Sequence, residues 1–223
     1  MDILLLLVAL VITLGAQVYV TSTYNKFNKV TNKKKITGFE VARMILDSHG
    51  LNNVYVTETK GVLSDHYDSS RKVIRLSTDI FHGTSLASCA VAAHEVGHAI
   101  QDKTGYSFLT FRSMMFPIVN FASYAGYFAI LIGIIFGALN LIWIGIAMEI
   151  IILIFQLVTL PVEFDASKRA LEELKNKDIL TNAELKQSST ILKAAALTYV
   201  ATVVNTILQI LRLLLIFGQS DRK

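Results

Sequence analysis

Residues 117–163 read PIVNFASYAGYFAILIGIIFGALNLIWIGIAMEIIILIFQLVTLPVE, from Pro117 to Glu163. Ahead of Glu163 the only charged side chain in this stretch is Glu149. A helix needs about 20 mostly apolar residues to cross a bilayer. The run holds two such lengths, 117–137 and 141–160, joined by an uncharged turn at 138–140. Backbone polar groups in hydrocarbon must be satisfied within the segment, so the pair reads as a helical transmembrane hairpin. Further out, 3–20 and 197–217 are apolar enough to supply two more spans.

The composition agrees. Of 223 residues 53% are hydrophobic and 17% charged, against about 25% charged in a soluble domain, and the mean hydropathy is +0.51. One cysteine, Cys89, excludes an intramolecular disulfide and a Cys-based zinc ribbon. Two prolines and no Gly/Ser tract exclude a Pro-rich or disordered linker protein. The net charge of +4 fits the gathering of Lys and Arg beside the cytoplasmic ends of spans better than it fits nucleic acid, which is not expected as a partner.

Met1-Asp2 places no base before the first apolar run, whereas Lys26, Lys29, Lys33, Lys34 and Lys35 follow it. A retained anchor with its N-terminus outside is expected, rather than a signal peptide. Lys168, Arg169, Lys175, Lys177, Lys186 and Lys193 between the third and fourth spans point the same way, and Arg222 and Lys223 point against it. The expected protein is a mainly α integral membrane protein, a single domain over 1–223 with four transmembrane helices. A small α+β region is expected from two cytoplasm-facing segments, about 21–116 and 161–196. In the first, Thr37 is a natural N-cap for an amphipathic helix over 38–48 that stops at Gly50. Residues 53–59 and 72–77 alternate like strands, with a polar turn at 64–70 between them, and 85–101 reads as an Ala-rich helix. In the second, 161–175 is helical, and another helix leads from Thr181 or Asn182 into the last span.

The 85–101 helix carries His94-Glu95-Val96-Gly97-His98, an H-E-x-x-H pattern. Residues four apart lie on one helix face, so both imidazoles can reach one metal ion, and Glu95 sits beside it to take a proton from water. Imidazole and carboxylate ligands with one position left for water suit catalytic zinc, one ion per chain. Gly97 weakens a helix by about 1 kcal/mol, which argues for close approach of another element. Cys89, five residues before His94, points off the metal face and reads as a small core residue. No further His follows His98 closely, and His49, His66 and His82 lie elsewhere. The hairpin returns the chain to the side of the membrane that carries His94 and His98, which makes Glu163 the third ligand.

The stretches Asp65-His66-Tyr67-Asp68, Lys72–Ser77, Ala92–Gln101 and Leu160–Ser167 resemble the YugP-type neutral zinc metallopeptidases of bacteria, over nearly the whole chain. More distantly the chain is similar to the HtpX-type and CAAX-prenyl membrane endopeptidases. The resemblance implies a gluzincin-like zinc site in which a Glu after a transmembrane hairpin completes the ligand set. It also implies a bacterial cell membrane and substrates among membrane-associated or misfolded polypeptides. Those relatives carry an Asp four residues after the Glu to orient the first His; here Ser167 stands there, and Asp165 is expected to point off that face.

The secondary expectations are weaker in chemistry. His66 or Tyr67 could hold the oxyanion if the 65–68 loop folds over the site. The 72–77 strand could pair with an extended substrate, while Arg169 reads as a solvated helix charge. Thr198, Thr202, Asn205, Gln209 and Arg212 form a polar stripe on the last span. Glu149 and Arg212 fall at similar depth; either they pair across the bundle, or Arg212 snorkels to the interface and Glu149 is protonated. The reading is a membrane-embedded zinc endopeptidase with a cytoplasm-facing site, with a polypeptide substrate and the lipid bilayer as its partners. The alternatives are a zinc-stabilised scaffold without activity, an intramembrane site-2-type protease, or a transporter.

Overall fold

The structure is a computed structural model that describes residues 2–218; Arg222 and Lys223 lie outside the described residues. In chain order the elements are α1 (Asp2–Asn28), α2 (Gly38–Ser48), β1 (Tyr55–Thr59), β2 (His66–Asp68), β3 (Val73–Ser77), α3 (Thr78–Phe81), α4 (Leu86–Lys103), α5 (Ser107–Phe136), α6 (Leu139–Asn176) and α7 (Asn182–Phe217). Helices α1, α5, α6 and α7 are each long and apolar enough to cross a membrane. They overrun the expected spans. Pro117 and Pro161 both lie inside helices, α5 and α6, rather than at their starts. A proline forfeits one helical hydrogen bond, yet an apolar segment has no better partner for its backbone than the rest of the helix. The separate helix expected from 161 is therefore the continuation of α6.

Two compact units emerge. The first comprises the chain up to Gln17, 110–161 and from Leu197 onward. Within it, Gly126, Gly133 and Gly145 bring α5 and α6 together against Met148, Ile142 and Ile130, the small-residue packing typical of membrane helices. Ile142 and Ile146 of α6 bury against Ile210 and Leu213 of α7. Asn205 Nδ2 donates to Thr13 Oγ1 at 2.5 Å, and Gln209 Nε2 to Glu149 Oε1 at 2.9 Å. Of those two alternatives the pair is corrected: Gln209 bonds Glu149, and Arg212 Nε is buried with no hydrogen-bond partner among the described residues.

The second unit comprises 18–109 and 162–196. Helix α2 starts where its sequence says it should, with a full capping box: Glu40 N donates to Thr37 Oγ1, and Thr37 N to Glu40 Oε2. The sheet order is β1-β3-β2, with β1 parallel and β2 antiparallel to β3. Two expectations are corrected here. Residues 66–68, placed in a turn, form a strand with Tyr67 opposite Ile74. And β3, proposed to receive a substrate strand, is central, with both edges already paired. Val41, Ile45 and Leu46 of α2, Ile74 and Leu76 of β3, and Leu86, Ala90, Ala93 and Val96 of α4 make the core, closed by Ala170, Leu174 and Leu192. Cys89 lies in it, its thiol pushed up to about 12 first by burial and then by Glu184.

Candidate metal centre

Helix α4 is launched by Ser85, whose Oγ accepts from Ser88 N at 3.0 Å. One turn separates His94 from His98, and their rings meet edge to face with centroids 4.8 Å apart. The residue between them that matters for packing is Gly97. A Cβ there would lie 2.6 Å from the Ala166 carbonyl oxygen, so α6 reaches α4 at backbone distance. That approach carries Glu163, one turn before Ala166, onto the two imidazoles.

The Oε2 atom of Glu163 lies 3.3 Å from His94 Nε2 and 3.7 Å from His98 Nε2. All three ligand atoms fall within 4.8 Å of one another. Zinc–ligand bonds of about 2.0–2.2 Å in a tetrahedron separate ligand atoms by roughly 3.3–3.6 Å. Two imidazole nitrogens and a carboxylate oxygen at these spacings fit zinc in both distance and chemistry. Glu163 is 3% exposed and His98 9%, so the carboxylate is compensated chiefly by its imidazole partners.

Glu95 is buried, and burial pushes its carboxyl above the usual range, opposed by His94 and His98 and reinforced by Glu163 and Asp65. Burial alone would lower the His98 imidazole. The nearby Glu163 carboxylate and the charge of Glu95 outweigh it, and the net direction is upward.

Each imidazole has a partner on its other nitrogen. Ser167 Oγ lies 3.2 Å from His94 Nδ1, and Gln101 Oε1 lies 3.0 Å from His98 Nδ1. Gln101 was not anticipated. Its signal in the sequence is a fully polar side chain three residues after His98, on the face otherwise given to the core. Its Nε2 donates at 2.8 Å to both Val162 O and Asp165 Oδ2. Asp165 in turn accepts from Arg169 Nε at 2.6 Å, and the Arg169 guanidinium sits 5.9 Å from the centre of the Tyr106 ring. Asp165 thus faces the site region through Gln101 instead of pointing away, and Arg169 is half-buried in a network instead of a solvated charge.

The 65–68 segment is tied down otherwise. Asp65 Oδ1 accepts from Ser77 N at 2.7 Å. The exposed His66 meets Ser64 O through Nδ1 at 2.8 Å. Tyr67 donates to Asp102 Oδ2 at 2.6 Å; burial first, and then this bond, push its hydroxyl pKa upward. Of the remaining histidines, His49 Nε2 lies 2.9 Å from Glu173 and His82 Nε2 3.3 Å from Glu58.

The sequence family described as "Putative neutral zinc metallopeptidase" matches residues 2–218. A curated relative, "Putative membrane protease YugP" of Bacillus subtilis (strain 168), is 43% identical over 215 residues, covering 96% of each chain. No solved structure matches.

Proposed function

The chain belongs to the neutral zinc metallopeptidase family, and from that premise we propose that it is a membrane-embedded, gluzincin-like zinc endopeptidase. His94, His98 and Glu163 hold one zinc ion per chain, and Glu95 is the catalytic base. The observation that carries this reading is the convergence of two Nε2 atoms and one carboxylate oxygen with Glu95 in the same buried turn. A zinc ion there would acidify water and polarise a scissile carbonyl. Glu95 accepts the proton of the attacking water and returns it to the leaving amine nitrogen, which must be protonated for the C–N bond to break. A scaffold would need the three ligands but would have no use for Glu95.

The substrates are membrane-associated or misfolded polypeptides, and the curated relative's name as a membrane protease supports that class. Helices α1, α5, α6 and α7 cross a bacterial cell membrane. Their exposed large apolar side chains, Leu10, Phe121, Ile135 and Phe136 among them, suit lipid. The site faces the cytoplasm, a reading supported by the basic residues from Lys26 to Lys35 and from Lys168 to Lys193. The two units act together as a single metallopeptidase domain.

The test is zinc content and proteolysis of an unstructured reporter polypeptide by the detergent-purified full chain. Wild type and Glu95→Gln should each carry one zinc, and Glu163→Gln far less. Activity should fall by about 10²–10⁴ in Glu95→Gln. Full zinc in Glu163→Gln would refute the ligand set; full activity in Glu95→Gln would refute the mechanism.

A further inference from the structure

Gln101 sits on α4 three residues beyond His98 and is 0% exposed. Its amide has two ends of opposite chemistry, an oxygen that only accepts and a nitrogen that only donates. The nitrogen end lies 2.8 Å from the carbonyl oxygen of Val162 and 2.8 Å from Asp165 Oδ2, both acceptors. Reversing the amide would press its oxygen against a carbonyl and a carboxylate and take the Gln101 donor from both. The surroundings therefore allow one orientation, with Oε1 turned to His98 Nδ1 at 3.0 Å.

That orientation decides the chemistry of the ring. An acceptor opposite Nδ1 requires the hydrogen of a neutral imidazole to reside there, and the lone pair is then left on Nε2. Nε2 is the atom that faces Glu163, whose nearest oxygen at 3.7 Å is beyond hydrogen-bond reach, so the acceptor at 3.0 Å from Nδ1 decides the tautomer. The His94 side differs. Ser167 presents a hydroxyl that can donate or accept, so its 3.2 Å contact fixes no tautomer. Arg169, bonded to Asp165 at 2.6 Å, holds the acceptor that holds the amide.

We infer that Gln101 is a positioning residue that presets His98 as an Nε2 ligand before any ion arrives, through an amide locked by Val162, Asp165 and Arg169. This rests on the reading of His98 as a zinc ligand. The competing role is space-filling in a buried slot, which a methionine of similar length would also perform.

The experiment is ¹⁵N NMR of histidine-labelled full chain in detergent micelles, freed of metal and brought to a pH at which His98 is neutral. Zinc affinity is measured separately by chelator competition. Wild-type His98 should carry its hydrogen on Nδ1. Gln101→Met should lose that preference and bind zinc about 10–100-fold more weakly. Gln101→Glu keeps an acceptor towards His98 and should keep the wild-type tautomer. Wild-type His98 with its hydrogen on Nε2 would overturn the inference, as would a Gln101→Met chain that binds zinc like wild type. Should the methionine variant fail to fold, the wild-type tautomer and the glutamate variant decide alone. A chain that binds no zinc yet shows the Nδ1 hydrogen would refute the zinc reading and the ligand-presetting role with it, leaving only the tautomer set by Gln101.

Discussion

The backbone of Ala166 passes so close to Gly97 that a Cβ on Gly97 would sit 2.6 Å from the Ala166 carbonyl oxygen and 3.2 Å from its Cα. These atoms are backbone, so nothing yields except the helices themselves. In an exposed helix Gly→Ala stabilises by about 1 kcal/mol. At this position Gly97→Ala should instead destabilise by about 1–3 kcal/mol through overpacking. It should also move Glu163 off the imidazoles and lower zinc content. Thermal unfolding and metal analysis of the variant read both effects; a rise in Tm with full zinc would contradict the packing.

How much of this was legible beforehand depends on what kind of signal each element leaves. The four long helices announce themselves because hydrocarbon tolerates few alternatives to a long apolar helix. Thr37 and Glu40 mark the start of α2 by local chemistry alone. β2 escaped because a three-residue edge strand of His66, Tyr67 and Asp68 has no apolar alternation to detect. Its identity is set by pairing with β3, a tertiary fact. Glu163 was within reach through topology, since a hairpin must return it to the side of His94. Gln101 and Asp165 were not, because their meaning lies in hydrogen bonds between α4 and α6. Helix spacing places a residue on a face but does not name its partner across it.

Asp65 gives a pH test. Its carboxylate accepts from Ser77 N and Ser77 Oγ, but burial is the larger influence and pushes the carboxyl above its ordinary value. A carboxyl whose pKa is higher in the folded than in the unfolded chain favours folding fully only below the unfolded value. That contribution is lost as pH rises through the folded one. Asp65→Asn retains an oxygen for Ser77 N and has no charge to bury. Its Tm should match or exceed that of wild type at pH 7, and the difference should vanish below about pH 4. A variant clearly less stable than wild type at pH 7 would mean that the Ser77 bonds outweigh burial.

Tyr67 separates anchoring from catalysis. Asp102, near the end of α4, receives Tyr67 Oη at 2.6 Å and Lys72 Nζ at 2.5 Å, which ties the sheet to the helix. Tyr67→Phe removes one of these donors and should lower stability by about 0.5–1.5 kcal/mol. An oxyanion donor would show itself differently, by a fall in kcat of about 10²–10³. With its hydroxyl engaged by Asp102, the expected result is a lower Tm and an unchanged kcat. A large loss of kcat at wild-type Tm would put Tyr67 in the reaction instead.

Glu149 and Gln209 supply the last test, between the long apolar helices α6 and α7. Gln209 Nε2 donates to Glu149 Oε1 at 2.9 Å, while Arg212 lies one turn further along α7 with Nε unbonded among the described residues. Hydrogen bonds between membrane helices contribute about 0.6–2 kcal/mol, and Glu149→Gln keeps an acceptor oxygen, so it should be nearly neutral. Gln209→Leu strands the Glu149 oxygen and should destabilise by the full amount. Exchanging charges in Glu149→Arg with Arg212→Glu should recover nothing lost in either single variant, because the native contact is with Gln209. Unfolding in detergent, followed as a double-mutant cycle, measures the coupling. Recovery in the exchanged chain would establish an ion pair between Glu149 and Arg212 and displace Gln209 from this role.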